Sequence, residues 1–172
     1  MTQEGRNFSP ITRLNSESAQ QMAEIDATDR RILRELKRDA RISNVQLAEK
    51  VGLSPSACLR RVQELERSGV ICGYRVITDP VRTGRAFTAY VMVGLSSHTK
   101  AAQQGFEQAM AGAREVVECH NITGVFEFVL RIECADLAEY KHFHTDILGT
   151  CAHVNSINSY IVMESSKDER AS

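Results

Sequence analysis

Residues 43–74, SNVQLAEKVGLSPSACLRRVQELERSGVICGY, constrain the fold of this chain more than any other stretch. Ser43 followed three residues later by Gln46 makes a capping box at a helix start. Leu47, Ala48 and Val51 form that helix's inward face, and Gly52 suits a left-handed C-cap. Leu53 plugs the core between helices. Ser54 caps the next helix, and Pro55 fits its first position, where no N–H partner is needed. Leu59, Val62 and Leu65 line one face of it, with Arg60, Arg61, Gln63, Glu64 and Arg67 outside. Gly69 ends it, and residues 71–77 read as a short strand pair or wing. Upstream, Asp26 caps a helix in which Ile32, Leu33 and Leu36 recur at helical spacing, ending near Asp39. This order of helices, tight turn and wing predicts a winged helix-turn-helix.

The second helix of such a unit reads nucleic acid when its first turn is slim enough for the major groove, about 12 Å wide. Ser54, Pro55, Ser56 and Ala57 are all small. Ser56 can exchange hydrogen bonds with base edges, and the Ala57 methyl can touch a thymine methyl. Arg60 and Arg61, one turn on, reach a guanine edge or flanking phosphates. Ser43 and Asn44, at the start of the preceding helix, are placed to hold a backbone phosphate, and Arg75 in the wing can do the same. The expected partner is double-stranded DNA.

Net charge is only −1, but its distribution matters more. Residues 26–79 carry eleven Lys/Arg against eight Asp/Glu, a balance of +3, and residues 81–172 carry eight against eleven, a balance of −3. Only the first half is suited to phosphates. No apolar run reaches the roughly 18 residues of a membrane span, and without a basic start followed by an apolar core a secretory signal is not expected. Cys58, Cys72, Cys119, Cys134 and Cys151 are dispersed and form no Cys-x-x-Cys pair. That usage predicts reduced thiols in a cytoplasm. Residues 1–24, rich in Ser, Gln, Asn and Thr, are expected to be a mobile arm turning helical near Ser18.

After Asp79-Pro80 and Gly84 the period changes. Strands are predicted at residues 87–95, 116–123, 126–134 and 154–163. One helix carries Ala102, Phe106, Ala109, Met110 and Ala113. Another, capped by Asp136, carries Leu137, Tyr140, Phe143, Ile147 and Leu148. The order β-α-β-β-α-β predicts a ferredoxin-like domain with both helices on one face of the sheet. The open face needs cover, and a second copy of the chain is a natural one. The fold class is therefore α+β, a winged helix-turn-helix followed by a ferredoxin-like βαββαβ domain. Expected boundaries are 1–24 for the arm, 25–77 for the DNA-binding domain, 78–86 for a linker, 87–165 for the second domain and 166–172 for a tail.

Ser43-Asn44-Val45, Val51-Gly52-Leu53-Ser54-Pro55, Cys58-Leu59-x-Arg61-Val62, Leu65-Glu66-x-x-Gly69 and Gly73-Tyr74 together resemble the Lrp/AsnC (leucine-responsive/asparagine-responsive) family of transcription regulators, as does the opening Ile25-Asp26-x-x-Asp29-x-x-Ile32-Leu33. The likeness runs from residue 25 to about residue 167. It implies a DNA-reading helix over residues 54–61 and a second domain that binds an amino acid and builds homodimers and higher homo-oligomers such as an octamer. The matching ligand stretch is residues 118–128. A Gly124 turn exposes backbone N–H groups for a carboxylate, and an acid three residues on holds an ammonium group. The effector set implied is Asn121, Thr123, Gly124, Val125, Phe126 and Glu127, joined by Leu137, Asn158, Ser159 and Tyr160. The family commonly has Gly-x-x-Asp where this chain has Glu127, and Thr where it has Asn158.

His142 and His144 flank Phe143 on one helix and point about 200° apart, and His98, His120 and His153 sit elsewhere, so no metal or other cofactor is expected. No nucleophile–base pair or Gly-rich phosphate loop appears, which argues against an enzyme. The expected function is a sequence-specific transcription regulator tuned by an amino-acid effector. Two alternatives stay open: an architectural DNA-wrapping protein with little ligand response, and a ferredoxin-like small-molecule-binding protein whose helical half only meets a partner.

Overall fold

The computed structural model describes residues 25–168. The arm expected over residues 1–24, its helical turn near Ser18 and the end of the tail lie outside the described residues. The chain divides into two compact units between Arg75 and Val76.

The first unit holds α1 (Ala27–Arg38), α2 (Asn44–Val51) and α3 (Pro55–Arg67). Each start is capped as its sequence predicts. Asp26 accepts the Asp29 N–H in a reciprocal capping box, Ser43 does the same with Gln46, and Ser54 accepts the Ala57 N–H ahead of Pro55. Gly52 closes α2 at φ 71°, a left-handed conformation that a β-carbon would strain. The buried core is Ile32, Leu47, Ala48, Val51, Cys58 and Leu65.

Two expectations are corrected here. Leu59 is 46 % exposed, while Cys58 is fully buried. The inner face of α3 is therefore Cys58, Val62 and Leu65, at spacings of four and three; its small thiol lets α3 pack closely, and Leu59 lies one position outside that stripe. Residues 71–77 form no strand pair. The Ile71 N–H is spent on the Leu65 carbonyl that closes α3. Asp79 then turns the chain by accepting the Val81 and Arg82 N–H groups, so no return strand lies beside residues 71–77. Tyr74, Val76 and Ile77 are exposed.

The second unit is built from β1 (Phe87–Leu95), α4 (Lys100–Gly112), β2 (Val116–Asn121), β3 (Phe128–Cys134), α5 (Leu137–His142) and β4 (Val154–Ile161). After α5 the chain stays helical through a π segment, Phe143–Ile147, and a 3-10 turn, Leu148–Thr150. The sheet order is β2-β3-β1-β4, antiparallel throughout, which is the ferredoxin-like arrangement. Alternation fixes what each face carries. Ala89, Val91, Val93 and Leu95 of β1 and Phe128, Leu130 and Ile132 of β3 pack on Phe106, Met110, Phe143 and Leu148 from the helical layer. Ala109, expected on the inner face of α4, is exposed, because Ala102, Phe106 and Met110 already complete its stripe. Thr88, Tyr90, Met92 and Gly94 take the open face, with Asn158 and Tyr160 as β4 partners of Met92 and Tyr90. Arg131 lies on that face too, opposite Glu118 and Tyr90. It is 7 % exposed, and its Nη2 stands 2.8 Å from Glu133 and 3.0 Å from Asp168. Among the described residues no helix is long and apolar enough to cross a membrane.

Candidate nucleic-acid interface and effector site

One side chain ties the starts of α2 and α3 together. Asn44, the first residue of α2, donates through Nδ2 to the Pro55 carbonyl at 2.8 Å and so ties the start of α2 to the start of α3. This contact brings Ser43, Asn44, Ser54, Pro55, Ser56 and Ala57 to one end of the helix pair. Ser54 and Ser56 share a hydroxyl–hydroxyl hydrogen bond of 3.3 Å and both are exposed. Arg60 is exposed one turn further on. Arg75 is exposed at the close of the unit, on unpaired chain and not on a strand.

Arg61 does not stand with Arg60. Its Nη1 lies 2.7 Å from Asp26 Oδ2 and 2.8 Å from Asp29 Oδ1, both at the start of α1. The hydrogen bond it donates to Asp29, then that to Asp26, raises the guanidinium's pKa above its ordinary value. The Asp29 N–H, then Arg61, holds the Asp26 carboxyl below the usual carboxylate range. The sequence signal for this contact, Asp26-x-x-Asp29, reads equally as a capping box, and nothing in the spacing of 32 to 35 residues announces Arg61 as its partner.

In the second unit Glu127 is already engaged. Its Oε2 accepts the Leu95 N–H at 2.7 Å, and its Oε1 lies 3.0 Å from His98 Nδ1. The carboxylate is mostly buried, and His98 is largely exposed above it. The turn before it is closed by the Ile122 N–H donating to the Glu127 carbonyl, with Gly124 at φ 147° and Val125 projecting into solvent. Asn121 and Thr123 are exposed beside it, and Phe126 is half-buried. A β-carbon at Gly94 would collide with Ser156 Oγ and stand in ordinary contact with Glu127 and Phe126, so glycine leaves room for the Ser156 hydroxyl over β1. Gly94, His98 and Ser156 were not legible as site residues, because each is ordinary in sequence and only the sheet register gathers them.

The ten effector candidates divide between the two faces of the sheet. Glu127, Asn158 and Tyr160 take the open face. Ser159 pairs with Val91 and faces the helices, where the Tyr140 hydroxyl bonds its side chain. There Leu137, Ala138, Tyr140, Lys141, His144 and Ser159 line an open groove of about 670 Å³. Within one chain, then, Leu137 and Ser159 do not share a pocket wall with Asn158 and Tyr160, as strand alternation requires. Burial pushes the Cys119 and Cys134 thiols up to about 11, which keeps them protonated and unreactive at neutral pH.

A capped helix-turn-helix with a slim, exposed reading helix, joined to a βαββαβ ligand domain, defines a DNA-binding transcription regulator. Residues 25–71 match the winged helix-turn-helix DNA-binding family, and residues 88–172 match the Lrp/AsnC ligand binding domain. The proline dehydrogenase transcriptional activator of Rhodobacter capsulatus is 41 % identical over 140 residues, covering 81 % of this chain and 91 % of that protein. The leucine-responsive regulatory protein of Haemophilus influenzae is 38 % identical over 143 residues, covering 83 % and 86 %. A transcriptional regulator of Neisseria meningitidis, solved in complex with L-methionine, superposes with a TM-score of 0.79 at 31 % identity, covering 83 % of this chain and 92 % of that one. The chain belongs to the Lrp/AsnC family of transcription regulators.

Proposed function

We propose that this regulator reads DNA through the first turns of α3 and that an amino acid bound at the Glu127 turn tunes its assembly or affinity. The observation that carries the first half is the Asn44–Pro55 tie, which presents Ser54, Ser56 and Arg60 together on an exposed helix start. Ser43, Ala57 and Arg75 complete the proposed contact set. The second half is supported by the buried Glu127 carboxylate beside an exposed turn. An effector's ammonium group would take the place of His98 on Oε1, and turn N–H groups would hold its carboxylate. Likeness to the neisserial regulator makes L-methionine the first effector to test. We further propose that the open sheet face, with Tyr90 and Tyr160 exposed on it, joins two copies of the chain, that the dimers build higher homo-oligomers, and that the protein acts in the cytoplasm.

Fluorescence anisotropy on a duplex from the chain's own upstream region tests this reading. Arg60→Ala is expected to weaken binding by about 1–3 kcal/mol. L-Methionine is expected to raise the melting midpoint of the wild type and not of Glu127→Gln. Arg60→Ala binding like wild type, together with no thermal response to any amino acid, would overturn it.

A further inference from the structure

We propose that Arg61 is a positioning residue that sets the pose of the recognition helix by clamping α3 to the start of α1, and that it does not touch DNA itself. This rests on the DNA-reading role of α3 and adds which residues hold that helix in place. Arg60 and Arg61 are neighbours in sequence, but a helix turns them about 100° apart. Arg60 is exposed. Arg61 is drawn back onto two carboxylates at 2.7 and 2.8 Å.

Those carboxylates are themselves fixed. The Asp29 N–H donates to Asp26 Oδ1 at 2.8 Å and the Asp26 N–H donates to Asp29 Oδ2 at 3.3 Å. The capping box that starts α1 therefore also supplies a doubly negative seat in which one guanidinium nitrogen, Arg61 Nη1, meets both carboxylates. Together the two ties fix α3 along its length, with Asn44 holding its first residue to α2 and Arg61 holding its second turn to α1.

Charge points the same way. If Arg61 left to meet a phosphate, it would strand the Asp29 carboxylate, whose side chain is 13 % exposed, with no guanidinium beside it. It would also leave two bare negative charges near an incoming polyanion. The cluster of one cation and two anions repels DNA weakly, so its value to binding must come through geometry.

That difference gives a test in which the two explanations have opposite signs. Binding of the full chain to a duplex from its upstream region is measured from about 50 to 200 mM salt. The proteins are wild type, Asp29→Asn, Arg61→Gln and the double variant. If Arg61 positions the helix, Asp29→Asn weakens binding about tenfold although it removes a negative charge. Arg61→Gln weakens it at least as much, the double variant is no weaker than Arg61→Gln alone, and the slope of log affinity on log salt does not fall. Arg61→Lys, which keeps the charge on a shorter side chain of different shape, recovers part of the loss. Tighter or equal binding by Asp29→Asn overturns the proposal. So does a slope shallower by about one unit in Arg61→Gln, the mark of a lost phosphate contact. If Arg61→Gln does not fold, Asp29→Asn decides alone. If the wild type binds no such duplex, the DNA reading itself falls, and the clamp is judged by melting midpoints of the same proteins. Additive shifts would then overturn it.

Discussion

At the scale of single residues, charge is placed where it does two jobs. Asp26 caps α1 and seats Arg61. Because its folded pKa lies below the ordinary 3.8, the stability it lends is fully present above that value and drains away as pH falls through the lowered one. Asp29 and Arg61 are the charged groups that face it. Melting midpoints measured from neutral pH down past 3.8 are expected to fall in that acid window and to fall less steeply for Arg61→Gln. An equal acid slope in both proteins would show that the clamp carries no linkage. Asp26 is exposed, so the effect is a change of slope and not an acid collapse.

At the scale of elements, helix ends were more legible than helix faces. Ser43-x-x-Gln46, Gly52 and Ser54-Pro55 each mark a helix end whose backbone groups must be satisfied, and each does so locally, the serines by side chain and Gly52 by its left-handed backbone. The sheet was legible for the same reason, since alternation along β1 and β3 is imposed by the pleat. What failed were choices that depend on distant partners. Whether Cys58 or Leu59 faces inward is decided by how closely α3 approaches the other helices. Whether residues 71–77 pair is decided by where Asp79 sends the chain. Which of ten ligand candidates meet is decided by the sheet register. The corrected place of Leu59 gives a test against a core position on α1. Ile32→Ala, at a fully buried position in this small core, is expected to destabilise by about 2–5 kcal/mol in urea unfolding. Leu59→Ala, at a half-exposed one, is expected to change stability by less than about 0.5 kcal/mol.

At the scale of the whole molecule, the two halves differ in charge and in what they leave uncovered. The basic half is a small three-helix core with its caps and Arg60 in solvent. The acidic half has one sheet face packed by helices and one bearing Tyr90, Tyr160 and the buried Arg131 cluster. In the proposed pairing of two copies, an ion cluster set among Tyr90, Met92 and Tyr160 would favour one register over its neighbours. Tyr160→Arg is expected to shift sedimentation at micromolar concentration toward the single chain and to leave the melting of an isolated chain nearly unchanged. Unaltered sedimentation would place the oligomer contact on another face. The Asn44–Pro55 tie has a further thermodynamic meaning. It is made within the folded unit, before any duplex arrives, so the ordering entropy of the reading end is charged to folding and not to association. If α3 is the recognition helix, as proposed, its docking is expected to be a rigid-body event. Calorimetry is then expected to read a small heat-capacity change, unlike that of a protein that folds upon its site.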